Sequence, residues 1–176
     1  MPLRVGVFGG TFDPPQVGHV RAAVLAKQRA DLDTVLWVVA KDPWQKAGEV
    51  RTSAEDRFAM VRACVAALDG HQASRIELDR PGPSYTIDTL EQLRAEGSAS
   101  EIHLIVGQDV ADTLDSWHRA DDVADLCKLL VVDRDPRDVS STEVRRRLDA
   151  GEPIDDLVPL PVMREIAERG LYSRTR

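Results

Sequence analysis

The chain has 176 residues, 43% of them hydrophobic and 30% charged, enough for one domain spanning residues 1–176 with a full hydrophobic core. Its formal net charge of −7 and pI near 5.1 exclude a general nucleic-acid binder, whose affinity would come from a basic face neutralising phosphates. No apolar run approaches the roughly 20 residues that cross a bilayer, no signal-peptide pattern opens the chain, and Cys64 and Cys127 stand far apart, so a cytoplasmic protein with buried free thiols and no membrane partner is expected.

Strand-like apolar runs occupy 3–8, 34–39, 74–78, 101–106 and 128–132, and helical patterns separate most of them. The alternation predicts an α/β fold with a doubly wound, Rossmann-like parallel sheet and C-terminal helices. After the first strand, Gly9-Gly10 leads to a helix over 18–30. Thr52-Ser53-Ala54-Glu55 reads as a capping box opening a helix over 57–68. A helix over 85–95 follows the third strand with Thr86 as its cap, and another is expected over 110–117. Ser140 to Glu143 forms a second capping box before 140–149. Pro159 and Pro161 separate that helix from the last one, over 162–169, and the basic end 173–176 frays.

In such a sheet ligands collect beyond the carboxyl ends of the strands, where strand order reverses. The informative residues fall there: Gly9 and Gly10 after the first strand, Lys46 after the second, Tyr85 and Thr86 after the third, Gly107 and Asp109 after the fourth. The GxGxxG spacing of a dinucleotide-binding dehydrogenase is absent. A Gly-rich turn running into a helix suits an anion, because small residues allow close approach and the helix start offers N–H groups and a positive dipole end. His19 adds an imidazole donor. Ser140, Ser141 and Thr142 would make a second helix start of the same kind, with Arg145 as a fork-shaped donor over it. Two opposed helix N-termini could hold one triphosphate. His71, His103 and His118 show no metal-ligand spacing and are read as surface or strand residues.

Gly9-Gly10-Thr11-Phe12-Asp13-Pro14 followed by Gly18-His19 resembles the GGTFDP…HxGH signature of the nucleotidyltransferase superfamily, and its first half looks most like bacterial nicotinate-nucleotide adenylyltransferases. Further along, Asp42-Pro43-Trp44-Gln45-Lys46 resembles the family's PxxK segment, and Gly82-Pro83-Ser84-Tyr85-Thr86-Ile87-Asp88-Thr89-Leu90 its (S/T)YTxDTL segment. Gly107-Gln108-Asp109 with Ser116-Trp117-His118-Arg119 is similar to the GxD…W block, and Ser140 to Arg145 to ISSTxIR. The resemblance implies an enzyme that joins ATP to nicotinate mononucleotide, giving nicotinate adenine dinucleotide and pyrophosphate. By it, Gly9, Gly10, Thr11, Phe12 and Gly18 belong to the ATP site, and His19, Gln16, Lys46 and Arg145 to the catalytic set. Gly107, Asp109, Ser140, Ser141 and Thr142 complete ATP binding, the Tyr85–Thr86 backbone receives the nicotinate carboxylate, and Trp117 stacks on the pyridine ring. Mg²⁺ would come with ATP, since no dedicated cage for it is visible in the sequence.

Two departures stand out. Gln16 replaces the first histidine of the motif, so a neutral amide stands where a charge-assisted donor could act, and slower but surviving catalysis is expected. Between 131–134 and Ser140, where the family places a longer excursion, only 135–139 remain. A sheet edge or subunit contact is then altered, and a homo-oligomer stays open. Two rivals also stay open: a transferase acting on another phosphorylated acceptor, and a catalytically silent nucleotide-binding domain.

Overall fold

The computed structural model describes residues 3–43, 48–133, 135 and 138–173. Five parallel strands, β1 (Arg4–Gly10), β2 (Thr34–Val39), β3 (His71–Ser74), β4 (Glu101–Gly107) and β5 (Lys128–Val132), form one sheet in the order β3-β2-β1-β4-β5. Strand order therefore reverses between β1 and β4, and the crevice beyond their carboxyl ends is the natural ligand position. Alternate strand residues face opposite ways, as the pleat requires. Val35, Trp37, Val39 and Ile105 join the core under α1 (Val17–Arg29), α2 (Ala54–Val65), α6 (Ser141–Ala150) and α7 (Leu160–Arg169). Val5, Val7, Val38, Ile102 and Leu104 join the core under α3 (Thr86–Ala95) and α5 (Ala120–Leu126). α4 is a single turn, Gln108–Ala111. The expected doubly wound sheet is present.

Local expectations changed in identifiable ways. The third strand lies at His71–Ser74 rather than 74–78: His71 is paired in register with Val35, and the chain then turns, with the Asp79 N–H on the Arg75 carbonyl at 2.9 Å. The apolar residues beyond it, Ile76 and Leu78, pack from that turn. The helix expected over 110–117 stops after Ala111 and resumes as a 3₁₀ turn at Leu114–Ser116. Thr113 Oγ1 donates to the Val110 carbonyl at 2.8 Å and Ser116 Oγ to the Thr113 carbonyl at 2.6 Å, a local competition that ends helices. α5 falls outside the expected helices because its apolar stripe, Val123 and Leu126, spans less than two turns among acidic residues; Arg119 starts it from a left-handed conformation.

Cap positions shifted as well. α2 is capped by Ser53, whose Oγ accepts from the Asp56 N–H, so the helix begins at Ala54, three residues before the expected 57. Tyr85, not Thr86, occupies the N-cap of α3, and no side chain caps it. Pro161 lies in the first turn of α7, where its missing N–H costs nothing, instead of separating two helices. Cys64 is buried and Cys127 half-buried, both free, and burial pushes the Cys64 thiol up to about 12. His71 and His103 are buried on strands rather than exposed, and His71 Nδ1 accepts from Trp37 Nε1 at 3.1 Å.

Candidate active site

A cleft of about 380 Å³ opens at the β1–β4 reversal. Gly9, Gly10, Thr11, Phe12, Gln16, Gly18, His19, Thr86, Gly107, Asp109, Trp117, Ser140, Ser141, Thr142 and Arg145 all line it. Residues spread over some 130 positions thus meet because the termini of β1, β4, α1, α3 and α6 meet. Tyr85 does not line the cleft: its ring stacks on His118 with centroids 4.4 Å apart, its N–H donates to the Pro83 carbonyl at 3.2 Å and its carbonyl accepts from Arg80, so of the pair only Thr86 faces the cleft. Phe12 contributes no side-chain ligand either. It is 2% exposed, packed against Phe8, Trp37 and His19. Lys46 lies outside the described residues.

The β1 turn is shaped by buried charge. Asp13 is 2% exposed, and its carboxylate accepts from the Arg51 N–H at 2.7 Å, from Thr52 Oγ1 at 2.7 Å and from the Tyr172 hydroxyl. Arg145, 8% exposed, donates to the Asp13 carbonyl at 2.7 Å and to Thr142 Oγ1 at 3.2 Å. Arg57 is also 2% exposed and gathers three carbonyls from the two strand ends: Thr11 at 2.9 Å, Ala40 at 2.7 Å and Lys41 at 3.3 Å. Burial lowers the Arg57 pKa, which the Asp13 charge opposes. Burial likewise raises that of Tyr172, with Asp13 adding to it. Asp13, Arg57 and Tyr172 therefore hold the turn after β1 in place. Asp13 stands inside the Gly9–Pro14 motif but was given no role of its own, and Arg57 and Tyr172 lie far in sequence from the groups they bond, so no local pattern announces them.

The expectation that α1 turns unpaired N–H groups toward an anion is corrected. The Val17 N–H donates to the Leu157 carbonyl at 2.8 Å, the Gly18 N–H to Gln16 Oε1, and the His19 N–H to the Gln16 carbonyl at 3.0 Å. Gln16 is long enough to fold back and cap its own helix. In return the Gln16 N–H donates to His19 Nδ1 at 3.0 Å, so a neutral imidazole carries its proton on Nε2. A Cβ at position 18 would lie 2.7 Å from Gln16 Oε1 and 2.8 Å from Asp138 Cγ, so a larger residue there would displace both side chains. Asp138, also unanticipated, joins the short 135–139 link to α1 by pairing with Arg21. At the α6 start Ser140 Oγ accepts from the Glu143 N–H at 3.2 Å, and Ser141 Oγ donates to the Pro14 carbonyl at 2.9 Å, tying α6 to the β1 turn. The α1 and α6 starts do share one cleft.

At the other end lie Ser84, Thr86, Thr89, Trp117 and Glu77. Burial raises the Glu77 pKa, opposed by hydroxyl bonds from Thr89 and Ser84 and by the Arg80 charge. Arg80 reaches Thr89 Oγ1 at 3.3 Å and the Tyr85 carbonyl at 3.4 Å, long contacts beside those of the β1 turn. The Trp117 indole N–H is buried with no hydrogen-bond partner. A donor in want of an acceptor beside a cleft is where a ligand atom can be received.

A model of the cytidylyltransferase-like family matches residues 7–147. A protein of Saccharopolyspora erythraea, named "Probable nicotinate-nucleotide adenylyltransferase", is 39% identical over 96% of this chain and 89% of its own. The chain belongs to the nicotinate-nucleotide adenylyltransferase family. A relative of the same name from Acidothermus cellulolyticus is 37% identical over 98% of the chain and 95% of its own. The fold extends further: the Plasmodium falciparum nicotinic acid mononucleotide adenylyltransferase complexed with NaAD superposes with a TM-score of 0.76 at 15% identity, covering 96% of this chain and 97% of that one. Membership in this adenylyltransferase family accounts for a cleft walled by glycines, hydroxyls and two helix starts.

Proposed function

We propose that the chain transfers the adenylyl group of ATP to nicotinate mononucleotide, releasing pyrophosphate and forming nicotinate adenine dinucleotide, a step of NAD biosynthesis. The observation that carries this reading is the single cleft in which Gly9–Thr11, His19 and the α6 start face Thr86 and Trp117. The acceptor phosphate attacks the α-phosphorus in line, the pyrophosphate leaves, and no covalent enzyme intermediate forms. Catalysis of this kind rests on positioning and on stabilising charge as it develops. The His19 Nε2 proton serves the α-phosphate oxygens, while Ser140, Ser141 and Thr142 bind the departing phosphates. Arg145, held by Asp13 and Thr142, supplies positive field behind them. Lys46 would add a point charge from the loop after β2. Asp109 accepts from ribose hydroxyls, the Thr86 backbone takes the nicotinate carboxylate, and Trp117 covers the pyridine ring.

A divalent ion, Mg²⁺ in this reading, enters on the nucleotide. The hydroxyls and glycine backbone of the cleft suit phosphate oxygens, and no group of three His, Cys, Asp or Glu able to hold a metal stands together among the described residues. The ion would neutralise polyphosphate charge. Residues 1–176 form one nucleotidyltransferase domain acting in the cytoplasm, and no helix among the described residues is long and apolar enough to cross a membrane. A homo-oligomer is compatible with the short 135–139 link. The test is pyrophosphate release with a panel of mononucleotide acceptors against ATP and CTP: ATP with nicotinate mononucleotide should be the best pair. ATP binding without pyrophosphate release would instead identify a silent nucleotide-binding domain.

A further inference from the structure

Glu77 lines the cleft, is 8% exposed, and has no part in the transfer step. Thr89 Oγ1 donates to its Oε1 at 2.9 Å. The Ser84 hydroxyl, which also lines the cleft, accepts the Lys41 and Asp42 N–H groups at 2.9 and 3.3 Å. Thr86 and Thr89 stand three residues apart on α3, neighbours at about 5–6 Å between Cβ atoms. The carboxyl therefore sits about one helical turn from the helix start that receives the acceptor's ring substituent. A second carboxylate at that range, in a shielded site, is repelled, and burial already favours the uncharged form of Glu77. The other charged groups around it are Arg80 on its own segment, Asp88 on α3, Lys41 after β2, whose ammonium donates to the Arg80 carbonyl at 3.0 Å, and His118 stacked on Tyr85.

We propose that Glu77 sets acceptor choice by charge: a ring carboxylate enters together with a neutral Glu77 and is rejected when Glu77 ionises, whereas an uncharged ring amide is indifferent to its state. This rests on the reading in which Thr86 receives the nicotinate carboxylate. By linkage, the acidic acceptor binds with uptake of a proton. The experiment measures KM for nicotinate and nicotinamide mononucleotides, with ATP saturating, across the pH range in which the enzyme stays folded. In the wild type the ratio of nicotinate to nicotinamide KM should climb about tenfold with pH. In Glu77→Gln it should be flat. A slope that persists in Glu77→Gln assigns the effect to His118 or Asp88 and overturns the proposal, as does a flat wild-type ratio. Should Glu77→Gln fail to fold, calorimetry of the wild type in buffers of different ionisation enthalpy decides: proton uptake with the acidic acceptor and none with the amide supports it, and equal uptake refutes it. A wild type that turns over neither acceptor overturns the functional reading itself, whereas turnover of nicotinate mononucleotide with a flat ratio overturns this inference alone.

Discussion

The two ends of the cleft are built differently. At the phosphate end, buried Asp13, Arg57 and Arg145 bond main-chain carbonyls, N–H groups and hydroxyls across β1, β2, α2 and α6, mostly at 2.7–2.9 Å. At the other end, α3 starts without a side-chain cap, and Arg80 reaches it through contacts of 3.3–3.4 Å. A shorter tie, Thr89 Oγ1 to the buried Glu77 carboxyl at 2.9 Å, runs between two side chains and reaches no strand end. In the proposed reaction a polyphosphate brings high charge to the first end and demands fixed donors, whose reorganisation would raise the barrier. The proposed acceptor ring requires shape and one charge comparison at the second, which an uncapped helix start can make.

The largest expected effect comes from breaking the rigid end. Arg57→Met strands three carbonyls in a buried site and, at about 1–3 kcal/mol for each unsatisfied group, should destabilise the fold by several kcal/mol in urea unfolding. If the loss stays within surface-mutation scatter, the contrast between the ends collapses. His19→Ala removes the acceptor of the Gln16 N–H as well as the Nε2 donor, so it should cost about 1 kcal/mol of stability but lower kcat by about 10²–10³-fold, the range of a deleted transition-state donor, in a pyrophosphate assay. A matching fall in unfolding free energy would recast His19 as a helix cap.

Smaller changes sharpen the comparison. Gln16→Ala removes the amide oxygen that caps α1 and should cost about 1 kcal/mol of stability. Gln16→His should raise turnover if the lost charge limits the reaction; unchanged turnover would mean that capping is the residue's main task. At the acceptor end, Arg80→Ala should shift stability by less than about 0.5 kcal/mol while raising acceptor KM and leaving that of ATP alone, a split visible in steady-state kinetics. The smallest effect is one of pH. Burial, with Lys27 adding, lowers the His71 pKa, so the unfolded chain binds the proton more readily. The contribution of neutral His71 is fully present above the unfolded value near 6.5 and is lost as the pH falls below it. Melting temperature should therefore drop on acidification through that window, and the slope should flatten in His71→Asn.

Much of the fold was legible. β2 and β5 fall on the predicted residues, and α1, α6 and α7 within two residues of theirs, because apolar runs and caps are local signals. β3 was misplaced since Ile76 and Leu78 imitate strand alternation while packing from a turn. The residues that line the cleft were legible wherever the chain gathers them in short motifs, as in Gly9–Thr11 and Ser140–Thr142. Those whose importance lies in a distant partner, such as Tyr172 on Asp13, were not.

By itself the sequence determined the parallel α/β order, the glycine turn after β1 and the family, since each is written in neighbouring residues through periodicity, glycine and motif. Only the tertiary structure decided that Gln16 closes the α1 start, that Asp13 and Arg57 brace the turn, and that Glu77 lines the cleft beside Thr89. Those outcomes depend on which chain segments meet at the strand reversal and on how much water burial there removes, and neither quantity belongs to any short stretch of chain.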